Sequence, residues 1–285
     1  MTRLPAPMIN FIATIAVAYV LLVAAVYTFQ RNLLYLPDRG VPDLEEGGVP
    51  DMRAVSLSTS DGLTLLAWYK EAAPGQPTLV YFSGNAGHIG HRGSKARHYL
   101  DAGMGVLLVG YRGYGSNPGS PSEEGLYADG GAALDFLAAA GVAPAQTVLY
   151  GESIGTGVAV HLAAEQAAMA PLGAVVLESP YASIADVAAK HYPFLPVRWL
   201  VKDRFESAAK IARVRAPVFV FHGEKDRTIP IRTARELFAA AVEPKESLWI
   251  AGGYHNDLYD FDAPAAVIAF LRRWFGAPPG SGSND

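Results

Sequence analysis

Five short, almost continuously apolar segments constrain the fold of this chain more than any other feature of its sequence. They read TLVYF, VLLVGY, TVLYG, AVVLE and VFVFH, and stretches with a helical pattern lie between them. Strands of this kind are buried on both faces, as in a parallel sheet that is covered by helices. Their alternation with helices indicates βαβ units and therefore a mostly parallel α/β sheet.

The full pattern predicts eight strands and five helices around them. The first two strands alternate polar and apolar residues and are separated by a hairpin signal, TSDG. The predicted strands are residues 53–58, 63–70, 78–83, 106–111, 147–151, 174–178, 217–222 and 247–251. The predicted helices are residues 90–102, 123–140, 153–168, 231–241 and 264–275.

The composition excludes several classes of protein. Hydrophobic residues make up 51% of the chain and charged residues 18%, which excludes a polar disordered chain. The net charge of −4 argues against nucleic acid as a partner, because phosphate binding needs clustered Lys and Arg. The absence of Cys excludes disulfides, thiolate metal sites and cysteine nucleophiles. We predict one domain at residues 51–276 and a disordered tail at 277–285.

A long apolar segment precedes the predicted domain. Residues 8–29 contain no charged side chain and, at about 1.5 Å each, are long enough to cross a hydrocarbon core of roughly 30 Å. A cleaved signal peptide is the alternative, but the apolar run is longer than usual and only Arg3 precedes it. We predict a retained single-pass anchor at residues 1–30 and a turn-rich connector at 31–50, with the side of the membrane left open.

A G-x-S-x-G pattern is the main candidate for chemistry. The sequence Gly151-Glu152-Ser153-Ile154-Gly155 directly follows a predicted strand and begins a predicted helix. In this context the glycines permit a tight turn that presents the serine hydroxyl at the carboxyl edge of the sheet. A helix N-cap serine is the alternative. We predict that Ser153 is a nucleophile.

A serine nucleophile needs a base, and on this type of sheet the order along the chain is Ser, acid, His. Asp226 follows the seventh predicted strand, and His255 follows the eighth. We predict that His255 moves the proton and that Asp226 orients it and stabilises its imidazolium. Glu178, at the end of the sixth strand, is the alternative acid. His222 is more consistent with a hydrogen-bonding support than with the base.

Acyl transfer also needs two N–H donors that point at the developing oxyanion. The backbone amide that follows the nucleophile belongs to Ile154. The second donor is expected from the loop after the third strand, where small residues let the backbone approach a substrate. Within that loop, Ser83-Gly84-Asn85-Ala86-Gly87, we predict that Asn85 is the donor.

Two further segments have open interpretations. His88, His91 and His98 have a spacing that a metal site could use, but no carboxylate lies in register with them, so we predict no metal site. Residues 181–207 are long for a simple connection to the next strand. They either form a small cap whose aromatic side chains line an acyl pocket or pack against the sheet.

Several segments resemble the α/β-hydrolases, and they occur in the same order along the chain. These segments are FQRNLLYLP, YFSGNAGHIGHR, YRGYGSNPGSPSEEGLYAD, LYGESIGTGVAV, LESPYAS, HGEKDRTIP and GGYHND. Within that superfamily they are most similar to the N-terminally anchored serine hydrolases related to the eukaryotic α/β-hydrolase depalmitoylases. The resemblance covers residues 29–275. It implies an α/β-hydrolase fold and an esterase or thioesterase activity without a cofactor, with Ser153, Asp226 and His255 at the triad positions.

We therefore expect a membrane-anchored serine hydrolase that cleaves carboxylic esters or thioesters through an acyl-enzyme. The expected substrates are lipids, small acyl compounds or acylated proteins at the bilayer. Two alternatives stay open at this point. One is a serine peptidase on the same fold, and the other is a catalytically silent membrane interaction module.

Overall fold

A computed structural model describes residues 5–276 and contains an eight-stranded sheet. We number its strands β1 Arg53–Ser58, β2 Thr64–Lys70, β3 Thr78–Phe82, β4 Gly105–Val109, β5 Thr147–Glu152, β6 Ala174–Glu178, β7 Val218–Gly223 and β8 Lys245–Ile250. Their order across the sheet is β1-β2-β4-β3-β5-β6-β7-β8. Strand β2 runs antiparallel to both of its neighbours. In the rest of the sheet, from β4 across to β8, each pair of neighbouring strands is parallel. The predicted mostly parallel sheet is confirmed.

Helices cover this sheet on both faces. The helices of the described residues are α1 Ala6–Leu34, α2 Gly93–Asp101, α3 Glu123–Ala139, α4 Gly155–Gln166, α5 Ile184–His191, α6 Val197–Leu200, α7 Ser207–Ile211, α8 Ile231–Ala240 and α9 Ala263–Phe275. Short 3₁₀ turns occur at Ile89–Arg92, Pro144–Gln146 and Leu258–Phe261. The helical pattern predicted from residue 90 onwards therefore begins as a 3₁₀ turn and continues as α2.

The strands are apolar throughout because the sheet separates two hydrophobic cores. Along β3, Val80 and Phe82 join the core under α3 and α4, whereas Leu79 and Tyr81 join the core under α2 and α9. All five residues of β3 are buried. This burial on both faces is the reason that the inner strands show no polar alternation.

Helix α1 extends four residues beyond the C-terminal end of the predicted anchor, and at this end it is attached to the domain. It continues to Leu34, and its half-buried residues are Val23, Val26, Gln30 and Leu34. This spacing of three or four residues defines one helix face, which packs on the domain. The segment from Ala6 to Leu22 is exposed along its whole length.

The predicted connector at 31–50 is partly ordered structure. Its first residues complete α1, Tyr35 is buried, and the two-residue strand Leu36–Pro37 pairs in parallel with Ala86–Gly87. The difference arises because this segment hydrogen-bonds the loop after β3, a contact that local sequence does not encode. The tail predicted to be disordered lies outside the described residues.

Candidate active site

Ser153 lies in the tight turn between β5 and α4, as the G-x-S-x-G pattern predicts. Its φ of 51° is in the left-handed region, which is strained for a residue other than glycine. The turn is held by hydrogen bonds: the Ser153 N–H donates to the Glu178 carbonyl at 2.8 Å, and the Thr156 hydroxyl donates to the Ser153 carbonyl at 2.6 Å. The strained conformation is therefore maintained by its surroundings, as expected for a functional residue.

The two flanking glycines are required by close backbone contacts. A Cβ atom on Gly155 would lie 2.2 Å from the Phe82 carbonyl oxygen, at the end of β3. A Cβ atom on Gly151 would lie 2.5 Å from the Thr156 Cα. Helix α4 therefore starts directly against the loop that follows β3, which brings that loop next to Ser153.

Three predicted site residues form one hydrogen-bonded chain. His255 Nε2 lies 3.2 Å from the Ser153 hydroxyl oxygen, and His255 Nδ1 lies 2.7 Å from Asp226 Oδ2. Asp226 lies in the loop after β7, and His255 lies in the loop after β8. The distances are those of a serine nucleophile, a base and an orienting acid.

Asp226 is held in place as a carboxylate. Its Oδ1 accepts hydrogen bonds from the backbone N–H groups of Thr228 at 2.7 Å and Ile229 at 2.8 Å. Burial acts to raise the pKa of Asp226, but the hydrogen bond and charge of His255, with the backbone donors, outweigh it and lower the pKa below its ordinary value. The ionised Oδ2 is therefore free to accept from His255.

His222 supports the loop that carries Asp226. Its Nε2 lies 3.0 Å from the Ile229 carbonyl oxygen, which makes Nε2 the protonated nitrogen, and 3.3 Å from Asp226 Oδ2. Burial lowers the pKa of His222, which favours the neutral form of the ring. Its contacts agree with the predicted supporting role, and it does not reach Ser153.

Ile154 and Asn85 line the same cavity as Ser153. Among the residues that the structure describes, the backbone N–H of neither residue donates a hydrogen bond to a backbone carbonyl. The Asn85 side-chain amide donates to the Leu34 carbonyl at 2.8 Å, at the end of α1. The group that Asn85 can offer to an oxyanion is therefore its backbone N–H.

An apolar cavity of about 310 Å³ adjoins Ser153. Its walls include Val26 and Leu33 of α1 and Val187 of α5. Residues 181–207 therefore form a cap over the site, built from α5 and α6. The aromatic side chains of this segment divide into three groups. Tyr192 lines the cavity, Tyr181 and Phe205 are buried in the core under α3 and α4, and Phe194 and Trp199 are exposed.

The chain is similar in sequence to proteins from bacteria, fungi and vertebrates. An uncharacterised protein of Mycobacterium tuberculosis is 42% identical over 223 residues, which are 77% of this chain and 78% of the relative. The protein bem46 of Schizosaccharomyces pombe is 34% identical, over 75% of this chain and 74% of the relative. The alpha/beta hydrolase domain-containing protein 17B of Xenopus tropicalis is 34% identical, over 70% and 68%.

The chain belongs to the α/β-hydrolase family. No family model matches it. Its fold is similar to that of an esterase of Pyrococcus furiosus, Pf2001, with a TM-score of 0.66 and 18% identity over 85% of this chain and 99% of the esterase. An alpha-beta hydrolase of Vibrio vulnificus gives a TM-score of 0.66 and 18% identity, over 78% and 81%. The family predicted from the motifs is thus confirmed.

This hydrolase contains a buried ionic network next to Ser153 that our sequence analysis missed. Glu152 Oε2 accepts hydrogen bonds from Tyr81 at 2.8 Å and Arg92 at 2.7 Å, and its Oε1 lies 3.3 Å from the Lys95 ammonium. Burial acts to raise the pKa of Glu152, but the two cations outweigh it and lower the pKa to about 2. The sequence feature that could have indicated this network is the glutamate directly before the serine of the motif.

The alternative acid, Glu178, belongs to this network and not to the triad. Its Oε1 accepts from Lys95 at 2.6 Å, and its Oε2 accepts from Tyr150 at 2.6 Å. Burial raises the pKa of Glu178. Within the described part of the chain, its carboxylate makes no hydrogen bond to His255.

The histidines of the loop and helix after β3 do have a carboxylate neighbour. Asp38, from the predicted connector, lies 3.7 Å from His88 Nε2 and 3.6 Å from His91 Nε2, whereas His98 is not in this group. The premise that no carboxylate lies near them is therefore wrong. However, His88 Nδ1 accepts from the Gly90 N–H, so His88 Nε2 carries a proton toward Asp38. The absence of a bound metal at these histidines therefore stays a prediction.

Proposed function

We propose that this hydrolase cleaves carboxylic esters or thioesters through an acyl-enzyme on Ser153. The observation that carries the proposal is the continuous hydrogen-bonded chain from the Ser153 hydroxyl through His255 to Asp226, with distances of 3.2 and 2.7 Å. A serine hydroxyl is a weak nucleophile until a base removes its proton. These hydrogen bonds supply both the base, His255, and the group that orients it, Asp226.

The reaction would proceed in two half-reactions. His255 Nε2 takes the Ser153 proton while the serine oxygen attacks the acyl carbon, and the Asp226 carboxylate stabilises the imidazolium. The negative charge on the former carbonyl oxygen is met by the backbone N–H groups of Ile154 and Asn85. His255 then donates the proton to the departing alcohol or thiol. Water, activated by His255 in the same way, releases the carboxylic acid.

The cavity supports an acyl substrate. The side chains from α1 and the cap that line it are mostly aliphatic, among them Val26, Leu33, Ile184 and Val187. Apolar walls beside a nucleophile favour the hydrocarbon part of an acyl group over the polar backbone of a peptide. The combination supports an esterase or thioesterase rather than a peptidase.

We further propose that α1 is a membrane anchor. Its mean hydropathy reaches 2.5 over an 18-residue window, and none of that window is buried in the domain. The contacts of Tyr19, Gln30 and Arg31 with the cap support a helix that is retained in the mature protein and not removed as a signal peptide.

A fluorophosphonate probe and a panel of acyl substrates test the catalytic proposal. We expect the probe to label the full-length protein but not Ser153→Ala, and kcat on a short ester to fall by on the order of 10⁶. Ser116→Ala is a matched control, because Ser116 is an exposed serine that also has a positive φ. Labelling of Ser153→Ala, or a tenth of the original kcat, would exclude Ser153 as the nucleophile. Matched esters and thioesters would then rank the two substrate types.

A further inference from the structure

The distal part of the cap lies along the helix that we propose as the anchor. We call residues 192–199, with the sequence YPFLPVRW, the cap tip. The Tyr19 hydroxyl of α1 donates to the Phe194 carbonyl at 2.9 Å. Beyond the tip, the Gln30 side chain bonds the Leu200 carbonyl at 3.1 Å and the Lys202 N–H at 2.8 Å. The cap therefore follows α1 from Tyr19 to Gln30, which is roughly 16 Å of helix.

The cap tip exposes large aromatic side chains to its surroundings. Trp199 is 87% exposed, Phe194 is 61% exposed and Tyr192 is 43% exposed, and the rings of Tyr192 and Phe194 lie 6.5 Å apart. Isolated exposed apolar residues are common, but three aromatic residues within one short segment form a patch of the kind that marks an interaction surface. The bond from Tyr19 to the Phe194 carbonyl places this segment beside the exposed apolar part of α1.

An ion pair joins the two elements at the level where the uncharged part of α1 ends. On α1 no charged residue occurs before Arg31, and Arg31 pairs with Asp203 directly after the cap helices. The Lys202 ammonium lies 4.3 Å from the centroid of the Tyr27 ring. Tyrosine and lysine at such a boundary are typical of the interface between hydrocarbon and lipid headgroups.

The cap tip contains a single charged residue, Arg198. Its guanidinium pairs with Asp186 of α5 at 2.5 Å. Pairing reduces the cost of placing this charge near hydrocarbon, and the length of an arginine side chain lets its head reach the polar region. Arg198 therefore does not prevent the tip from entering an apolar phase.

The same elements form the walls of the Ser153 cavity. Val26 and Leu33 of α1 line it together with Tyr192 and Val197 of the cap tip. The gap between α1 and the cap consequently connects the nucleophile with the surface that carries the exposed aromatic residues. An acyl chain lying in a bilayer beside α1 would meet this gap first.

We propose that the cap tip enters the bilayer together with α1, and that the acyl chain to be cleaved passes from the lipid phase between α1 and the cap to Ser153. The proposal rests on the proposed function, because it assumes an anchored hydrolase. It assigns the lipid bilayer as the partner of the aromatic patch, and it assigns acyl compounds resident in the bilayer as the substrates.

Tryptophan fluorescence tests whether the tip is in the bilayer. The chain has four tryptophans, Trp68, Trp199, Trp249 and Trp274, and Trp68 is buried. The experiment uses the full-length protein with Trp249→Phe and Trp274→Phe, reconstituted in phosphatidylcholine vesicles. We expect lipids that are brominated on their acyl chains to quench the emission of Trp199. The further change Trp199→Phe should remove the quenched component. Quenching of Trp199 by aqueous acrylamide but not by brominated chains would overturn the proposal.

Turnover tests whether the patch serves catalysis. We expect Trp199→Asp to preserve kcat/KM on a short water-soluble ester and to lower the turnover of a long-chain ester in vesicles severalfold. Met169→Asp is the matched control, because Met169 is also highly exposed but lies after α4, and it should change neither rate. Equal losses on both substrates, or no loss in vesicles, would contradict the proposal.

The two proposals fail in different ways. If Ser153→Ala retains activity on the soluble ester, the proposed acyl-enzyme is wrong, whereas the quenching experiment still decides the position of the cap tip. If Ser153→Ala is inactive but Trp199 is not quenched by the lipids, the catalytic proposal stands and the route from the bilayer is wrong.

Discussion

Arg31 and Asp203 are 172 residues apart in sequence and form a two-point ion pair. The Arg31 Nε lies 2.8 Å from Asp203 Oδ2, and its Nη2 lies 2.9 Å from Asp203 Oδ1. Asp203 also accepts a hydrogen bond from the Glu123 N–H, at the start of α3, at 3.1 Å. One carboxylate thus joins the end of α1, the cap and the first turn of a core helix. This contact fixes α1 as a wall of the cavity.

The pair predicts unequal effects of removing its two partners. The Asp203 side chain is 4% exposed and that of Arg31 is 49% exposed. Arg31→Met leaves a buried carboxylate without its cation, whereas Asp203→Asn leaves a guanidinium that water can solvate. We expect Arg31→Met to lower the free energy of unfolding by about 2 kcal/mol. This loss is smaller than that for a fully buried pair, because Arg31 is half exposed. Asp203→Asn should lower the free energy of unfolding by a smaller amount than Arg31→Met.

Thermal unfolding in detergent and protease access to α1 measure this difference. Arg39→Met is the matched control, because Arg39 is exposed, and it should have no effect. A larger loss for Asp203→Asn than for Arg31→Met would mean that the hydrogen bond to Glu123, and not the ion pair, dominates at Asp203.

Asp226→Asn should impair catalysis far more than Glu178→Gln. The backbone N–H groups of Thr228 and Ile229 hold one oxygen of residue 226, so an asparagine would turn its NH₂ toward His255. His255 Nδ1 would then have to accept, which places the proton on Nε2 and prevents it from taking the Ser153 proton. By analogy with the chymotrypsin triad, we expect kcat to fall about 10⁴-fold.

Steady-state hydrolysis of a soluble ester by both variants tests this assignment. Glu178→Gln changes the network around Lys95 and Tyr150, so we expect lower stability and little change in kcat. If Glu178→Gln were the more damaging change to kcat, the acid of the triad would have to be reassigned to β6.

The activity should increase with pH through a single ionisation. Only neutral His255 can accept the Ser153 proton, so kcat/KM rises as that ring loses its proton. Asp226 does not add a second ionisation to the profile. Because its pKa is lowered, its carboxylate stays ionised at every pH above the ordinary range of carboxylate pKa values. A profile of kcat/KM against pH should therefore rise with a limiting logarithmic slope of about one on its acidic side. A flat profile, or a slope of two, would contradict a single histidine base.

The proximity of Ser153, Asp226 and His255 could be predicted from sequence because each of these residues follows its own strand. Parallel strands end at one edge of the sheet, so Ser153, Asp226 and His255 are brought together by topology once the strands have been recognised. The strands were recognisable because β3 and β5 to β7 are buried on both faces and therefore carry few polar residues. Strand ends differ from the predicted ones by two residues at most.

The cavity could not be predicted in the same way. Its walls depend on contacts between α1 and the cap that join residues more than 170 positions apart, such as Gln30 with Leu200 and Tyr19 with Phe194. Helix α6 has four residues and α7 has five, too few for a periodic pattern to identify. Asp38 beside His88 is a similar case, because only the folded chain brings the connector to that loop.

Gly155 and Gly131 form a pair that tests the geometry of the nucleophile turn. Both lie in helices, but a Cβ on Gly155 would lie 2.2 Å from the Phe82 carbonyl oxygen and 2.8 Å from that of Ser83, whereas a Cβ on Gly131 would have no atom within 4 Å. We expect Gly131→Ala to raise the free energy of unfolding by up to about 1 kcal/mol, because alanine favours the helix.

Gly155→Ala should instead destabilise the protein by about 1–3 kcal/mol or more, since backbone atoms have to move to admit the methyl group. The displaced backbone belongs to the start of the loop that carries Asn85, so the distance between the two predicted oxyanion donors changes and kcat falls along with stability. Chemical unfolding and ester hydrolysis, measured on both variants, separate the two effects. Full kcat in a folded Gly155→Ala protein would show that the loop and the turn move together without loss of the oxyanion site.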